Sequence, residues 1–151
     1  HENRTLIGHP LGPDSHKIKM RVKHFGLNDN VKILGFRTNL TDLLSTSKVF
    51  YMCSKTEGLP TALMEAMSCG LVPVVSPVGN IPTLVKDGVN GFIIHNNDLS
   101  IMSYKILSLI QDVEMYDRMS LQARKSIVMN HSHKSAAIKW ENIISKIKVG
   151  C

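Results

Sequence analysis

Read for where apolar residues recur, the chain alternates short continuous runs with helical stripes over its first two thirds and carries helical stripes alone after that. The runs at 5–8, 31–36, 49–53, 71–75 and 92–94 read as strands. Those at 49–53 and 71–75 are apolar throughout, the pattern of parallel strands covered on both faces. Between them a helix is expected over 15–25 with Ile18, Val22 and Phe25 on one face, and another over 39–47 with an Asn39 cap and Leu40, Leu43 and Leu44 inward. A third runs from Pro60 at the first helical position to a stop at Gly70, with Leu63, Ala66 and Met67 as its stripe. A helical turn follows at 83–85. From Asp98 the period is helical: Leu99, Met102, Ile106, Leu109 and Ile110 first, then 113–129, then a last helix with Ala137, Trp140, Ile143, Ile144 and Ile147. Alternating strands and helices predict a Rossmann-like, doubly wound parallel α/β sheet with C-terminal helices, one domain over 1–151 and incomplete at one end.

Composition narrows the setting. A 151-residue chain can bury roughly 70% of its extended surface in one core and needs no staples. Its three cysteines are an odd number without CxxC spacing, which favours buried reduced thiols and a cytoplasmic chain. No run reaches the roughly 20 apolar residues of a membrane span, and the N-terminus lacks a signal-peptide pattern. The net charge of +6 and pI near 9.4 permit attraction to nucleotide phosphates or peripheral contact with an anionic inner membrane face. Nucleic acid is disfavoured, because aromatics are only 5% and no RNP-like, zinc-finger or helix-turn-helix pattern occurs. His131 and His133 lack the further ligands a metal would require and read as cap and surface residues.

The chemistry concentrates in 54–70. Between Glu57 and Lys86, Glu65 is the only charged side chain. A carboxylate in so apolar a run is costly unless donors reach it, and a diol such as a ribose pair would satisfy both oxygens. Glu57 lies just before a helix start, where backbone amides and the dipole favour anions such as a diphosphate. Open parallel sheets bind ligands beyond the carboxyl ends of their strands, where Gly35, Phe36 and Arg37 fall. Gly79, in a loop after the fourth strand, permits close backbone approach to a ligand.

Glu57-Gly58-Leu59-Pro60, then Glu65-Ala66-Met67, then a strand containing Pro73-Val74-Val75, resembles the donor-binding signature of the retaining glycosyltransferases of the GT-B fold, glycosyl transferases group 1. The likeness extends over about 5–148. It implies that Glu57 faces the donor sugar as the catalytic carboxylate and that Glu65 holds the ribose hydroxyls. Gly58, Leu59, Pro60, Thr61 and Gly79 would line the donor, and Gly35, Phe36 and Arg37 would contact the base through the backbone. The chain would be a donor-binding domain truncated at its N-terminus, without the earlier strand and basic loop that clamp the diphosphate and without the acceptor domain, to which the last helix returns in relatives; alone it would be inactive.

The implied reaction transfers a hexosyl or N-acetylhexosaminyl group from a nucleotide sugar, a UDP-sugar first, to a saccharide or lipid-linked acceptor in bacterial-type polysaccharide, lipopolysaccharide or glycolipid assembly. No cofactor or metal is expected. The chain departs from the pattern at Gly79-Asn80 and Pro82-Thr83, where relatives commonly have a double glycine and a glutamate after the proline. A nucleotide-sugar epimerase of the same fold and a non-catalytic nucleotide-binding module stay open beside this reading.

Overall fold

The structure, a computed structural model, describes residues 6–8, 15–35, 39–58 and 60–148, and the chain falls into two compact units, 1–40 and 41–151. The first is a βαβ arrangement. Strand β1 (Leu6–Gly8) and strand β2 (Val31–Ile33) pair in parallel, Leu6 with Val31 and Gly8 with Ile33. Helix α1 (Ser15–His24) connects them and ends at Gly26 with φ +64, a left-handed stop that glycine adopts without strain. The stripe expected to pack inward does so only in part: Val22 is half-buried, whereas Ile18 and Phe25 are exposed.

In the second unit, α2 (Thr41–Thr46), β3 (Val49–Met52), α3 (Thr61–Ser68), β4 (Val72–Val75), α4 (Ile81–Leu84) and β5 (Phe92–Ile93) alternate as the pattern requires. The three strands pair in parallel in the order β3–β4–β5. Central β4 is buried at every position, and its side chains divide between two cores. Val75 joins Leu63, Met67, Ile81, Leu84, Val85, Ala123 and Ile127. Val72 and Val74 join Phe92, Met102, Leu109 and Met119. Burial on both faces explains why this strand is apolar without alternation. Pro73 sits second in the strand beside Gly91, where any Cβ would collide with its ring.

A 3₁₀ turn (His95–Asn97) leads to α5 (Leu99–Gln111), α6 (Val113–Asn130) and α7 (His133–Lys148). The carboxylate of Asp98 accepts from the amides of Ser100 and Ile101, and that of Asp112 from Met115, so both helices start on side-chain caps. Met102 and Leu109 are buried as the period predicts, but Leu99 is exposed in the first turn, beyond the edge of the core. Trp140, Ile143 and Ile144 on α7 are likewise exposed. The expectation of buried thiols is corrected: Cys53 is exposed and Cys69 partly buried, both free, while Cys151 lies outside the described residues. Among the described residues no helix is long and apolar enough to cross a membrane.

Candidate functional site

The site is built where β3 and β4 end. From Met52 the chain runs through 53–60 into α3, and from Val75 through 76–80 into α4. These two loops are locked together. Gly79 has φ +53, and a Cβ there would overlap the carbonyl oxygen of Glu57 and lie 3.1 Å from that of Gly58. The Asn80 amide donates to the Gly58 carbonyl at 3.2 Å, and the Ser76 amide to that of Met52 at 3.1 Å. The close approach that requires glycine at 79 is therefore to the backbone of the Glu57 loop.

Pro60 is not the first helical residue, as expected, but the N-cap, with φ −76 and ψ 97. The consequence is chemical. Proline has no side-chain acceptor, so α3 starts uncapped, and its first intrahelical bond runs from the Met64 amide to the Pro60 carbonyl at 3.2 Å. The amides of Thr61, Ala62 and Leu63 are left without intrahelical acceptors at the positive end of the helix. Such an end accommodates an anion. Glu57, half-buried, stands three residues before it.

Glu65 corrects the premise of the sequence argument. It is exposed rather than embedded among apolar groups. Leu63, Ala66 and Met67 turn inward, so at 100° per residue Glu65 faces outward with Thr61 and Ala62, both exposed. Its carboxylate has no hydrogen-bond or ion-pair partner among the described residues. The cost of burial is absent, and the oxygens are open to a ligand.

Gly58, Pro60, Thr61 and Gly79 thus share one edge with Glu57, and Glu65 stands one helical turn beyond Thr61. Gly35, with φ +65 and open space where a Cβ would sit, belongs to the other unit. Phe36, Arg37 and Leu59 lie outside the described residues. Two cavities of about 150 and 430 Å³ lie elsewhere in the second unit, one beside Asn90 and Ser126 and one beside Phe92 and Lys105, and neither includes the predicted residues.

Sequence reasoning missed the third side of that edge. The Ser76 hydroxyl, buried at the end of β4, donates to the side-chain oxygen of Asn97 beyond β5. Asn96 and Asn97 have φ +58 and +50, and the Asn-Asn pair was the available signal, since asparagine tolerates left-handed backbone best among side-chain-bearing residues. At the end of β3, burial and then a hydrogen bond with Cys53 push the Tyr51 phenol up to about 12. Among the described residues no group of three or more His, Cys, Asp or Glu side chains is placed to hold a metal ion.

Known proteins resemble this chain in sequence and in fold. The profile of the glycosyl transferases group 1 family covers residues 3–126. N-acetyl-alpha-D-glucosaminyl L-malate synthase of Bacillus anthracis is 28% identical over 132 residues, 87% of this chain and 35% of the relative. The UDP-Gal:alpha-D-GlcNAc-diphosphoundecaprenol alpha-1,3-galactosyltransferase of Escherichia coli is 33% identical over 102 residues, 68% of this chain and 26% of the relative. The pneumococcal O-GlcNAc transferase GtfA, solved in complex with UDP and GlcNAc, superposes with a TM-score of 0.80 at 22% identity, over 95% of this chain and 29% of that one, a likeness of fold. The chain spans about a third or less of the length of each.

Proposed function

This chain belongs to the glycosyl transferases group 1 family, and from that premise we propose that it is the donor-binding part of a retaining glycosyltransferase using a UDP-sugar. One observation carries the reading: an uncapped helix start, a half-buried carboxylate and a free outward carboxylate follow one another along the strand-end edge that the Gly79 backbone closes. The amides of Thr61, Ala62 and Leu63 take the diphosphate, the Glu65 carboxylate accepts from the two ribose hydroxyls, and Glu57 faces the sugar. As the bond to the diphosphate breaks, positive charge grows at the anomeric carbon, and Glu57 stabilises it more than the ground state. The leaving diphosphate takes the proton of the acceptor hydroxyl, and the new glycosidic bond forms on the face it vacated. The relative named for UDP-Gal and alpha-D-GlcNAc-diphosphoundecaprenol supports a hexosyl donor and a saccharide or lipid-linked acceptor for the full-length protein, and the one named N-acetyl-alpha-D-glucosaminyl L-malate synthase supports an N-acetylhexosaminyl group as the alternative donor sugar.

A thermal-shift panel tests the donor class, because only ligands that bind the folded state raise its melting temperature. UDP and UDP-sugars are expected to raise it more than GDP, ADP or their sugars. A larger shift with a purine nucleotide would overturn the UDP assignment, and no shift with any nucleotide would overturn the site.

A further inference from the structure

Helix α1 bears no acidic residue along its ten positions and four Lys or Arg among them. Every position from His16 to His24 except Val22 is exposed. At 100° per residue, Lys19 and Lys23 fall to one side of Met20, and Arg21 falls to the other beside Lys17, which has an interaction of its own. Met20, 57% exposed, is therefore the apolar centre of a basic arc. At the end of the helix Phe25 is 63% exposed, its ring edge-on to that of His24 at 5.1 Å, but it falls about 140° from Met20, on the side of Ile18 and Val22. The donor edge uses none of these residues.

We infer that this face of α1 is a docking surface for an anionic phospholipid bilayer, on which Lys19, Arg21 and Lys23 meet the headgroups while Met20 enters the headgroup–acyl boundary. Charge complementarity selects the occupant: a helix with cations on both sides of an apolar centre and no anion is attracted to a negative leaflet and repelled by cationic surfaces. Its exposed apolar centre distinguishes a bilayer from nucleic acid. A single methionine between cations suits shallow immersion at the headgroup–acyl boundary, whereas single strands are gripped by successive stacking aromatics in a basic groove, and this face presents none. The inference goes beyond the donor reading and does not depend on it.

Sedimentation with vesicles tests it, using equal parts phosphatidylglycerol and phosphatidylcholine against phosphatidylcholine alone. The chain is expected to bind the anionic vesicles at low salt and to release them at about 1 M salt, where the Debye length is about 3 Å. Replacing Lys19, Arg21 and Lys23 together by Gln should weaken binding on the order of a hundredfold, at about 1 kcal/mol per cation. Replacing Arg118, Lys125 and Lys134 by Gln removes the same charge from exposed positions elsewhere and should leave most of the binding. Met20→Gln should weaken it roughly tenfold through lost apolar burial, and melting curves show which variants fold. Equal binding to neutral vesicles, equal loss in the two triple variants, or unchanged binding of Met20→Gln would each overturn the inference. Retention by duplex DNA at the same salt without vesicle binding would assign the face to nucleic acid and overturn it as well.

Discussion

The Glu57 loop and the outward face of α3 lie eight residues apart and are built on opposite terms. The loop is fastened: the backbone of Gly79 fills the space behind Glu57, Asn80 bonds to Gly58, and the Glu57 side chain is half-buried. The helix face is free, since the inward stripe of Leu63, Ala66 and Met67 anchors α3 and leaves Glu65 with nothing structural to do. The difference teaches that changes behind the loop should cost fold and function together, whereas a change at Glu65 should cost binding alone.

The largest expected effect comes from Gly79→Ala. It forces a side chain onto left-handed backbone and into the Glu57 carbonyl, which should destabilise the chain by on the order of 3–5 kcal/mol and abolish nucleotide-induced stabilisation. Urea denaturation reads the first and thermal shift with UDP the second; a variant of parental stability would break the claim that the loops are locked. Next is Glu57→Gln, isosteric but uncharged. UDP affinity should stay nearly unchanged by calorimetry, while turnover in the full-length protein falls roughly tenfold to a hundredfold, the loss belonging to the transition state. A fall in UDP affinity equal to the fall in turnover would place Glu57 on the nucleotide instead.

Ser76→Ala removes the hydroxyl that ties the ends of β4 and β5. It should cost about 1 kcal/mol in denaturant, because the exposed Asn97 partner regains water. The smallest effect is at Tyr51. Its folded phenol titrates at about 12, above the ordinary 10, so its contribution is whole below pH 10 and is lost as pH rises from 10 to 12. Tyr51→Phe should flatten that part of the stability profile, slightly, since the ring is 40% exposed.

Much of the fold was legible in the residues. The unbroken apolar run of β4 announced a strand covered on both faces, and the stripe Leu63, Ala66, Met67 announced the buried side of α3. The same stripe should have placed Glu65: a run rich in apolar residues averages over all faces of a helix, and only the 3.6-residue period says which one a carboxylate occupies. Leu99, Ile18 and Phe25 lie on apolar stripes yet stand exposed for a related reason, since position on a stripe does not say where along the helix the core stops. The fastening of Gly79 to Glu57 joins residues 22 apart in sequence through backbone atoms alone, and no side-chain pattern encodes it. Nor does spacing reveal the left-handed pair Asn96 and Asn97, although their residue type permits it.

Calorimetric titration of UDP into Glu65→Ala and the parent chain, alongside their melting curves, tests the central claim most directly. If Glu65 accepts the two ribose hydroxyls, the variant should melt as the parent does and bind UDP up to roughly a hundredfold more weakly, since about two charge-assisted hydrogen bonds are lost, on the order of 3 kcal/mol before water compensates. Equal UDP affinity in the two proteins would contradict the ribose assignment, and with it the placement of the nucleotide along this edge.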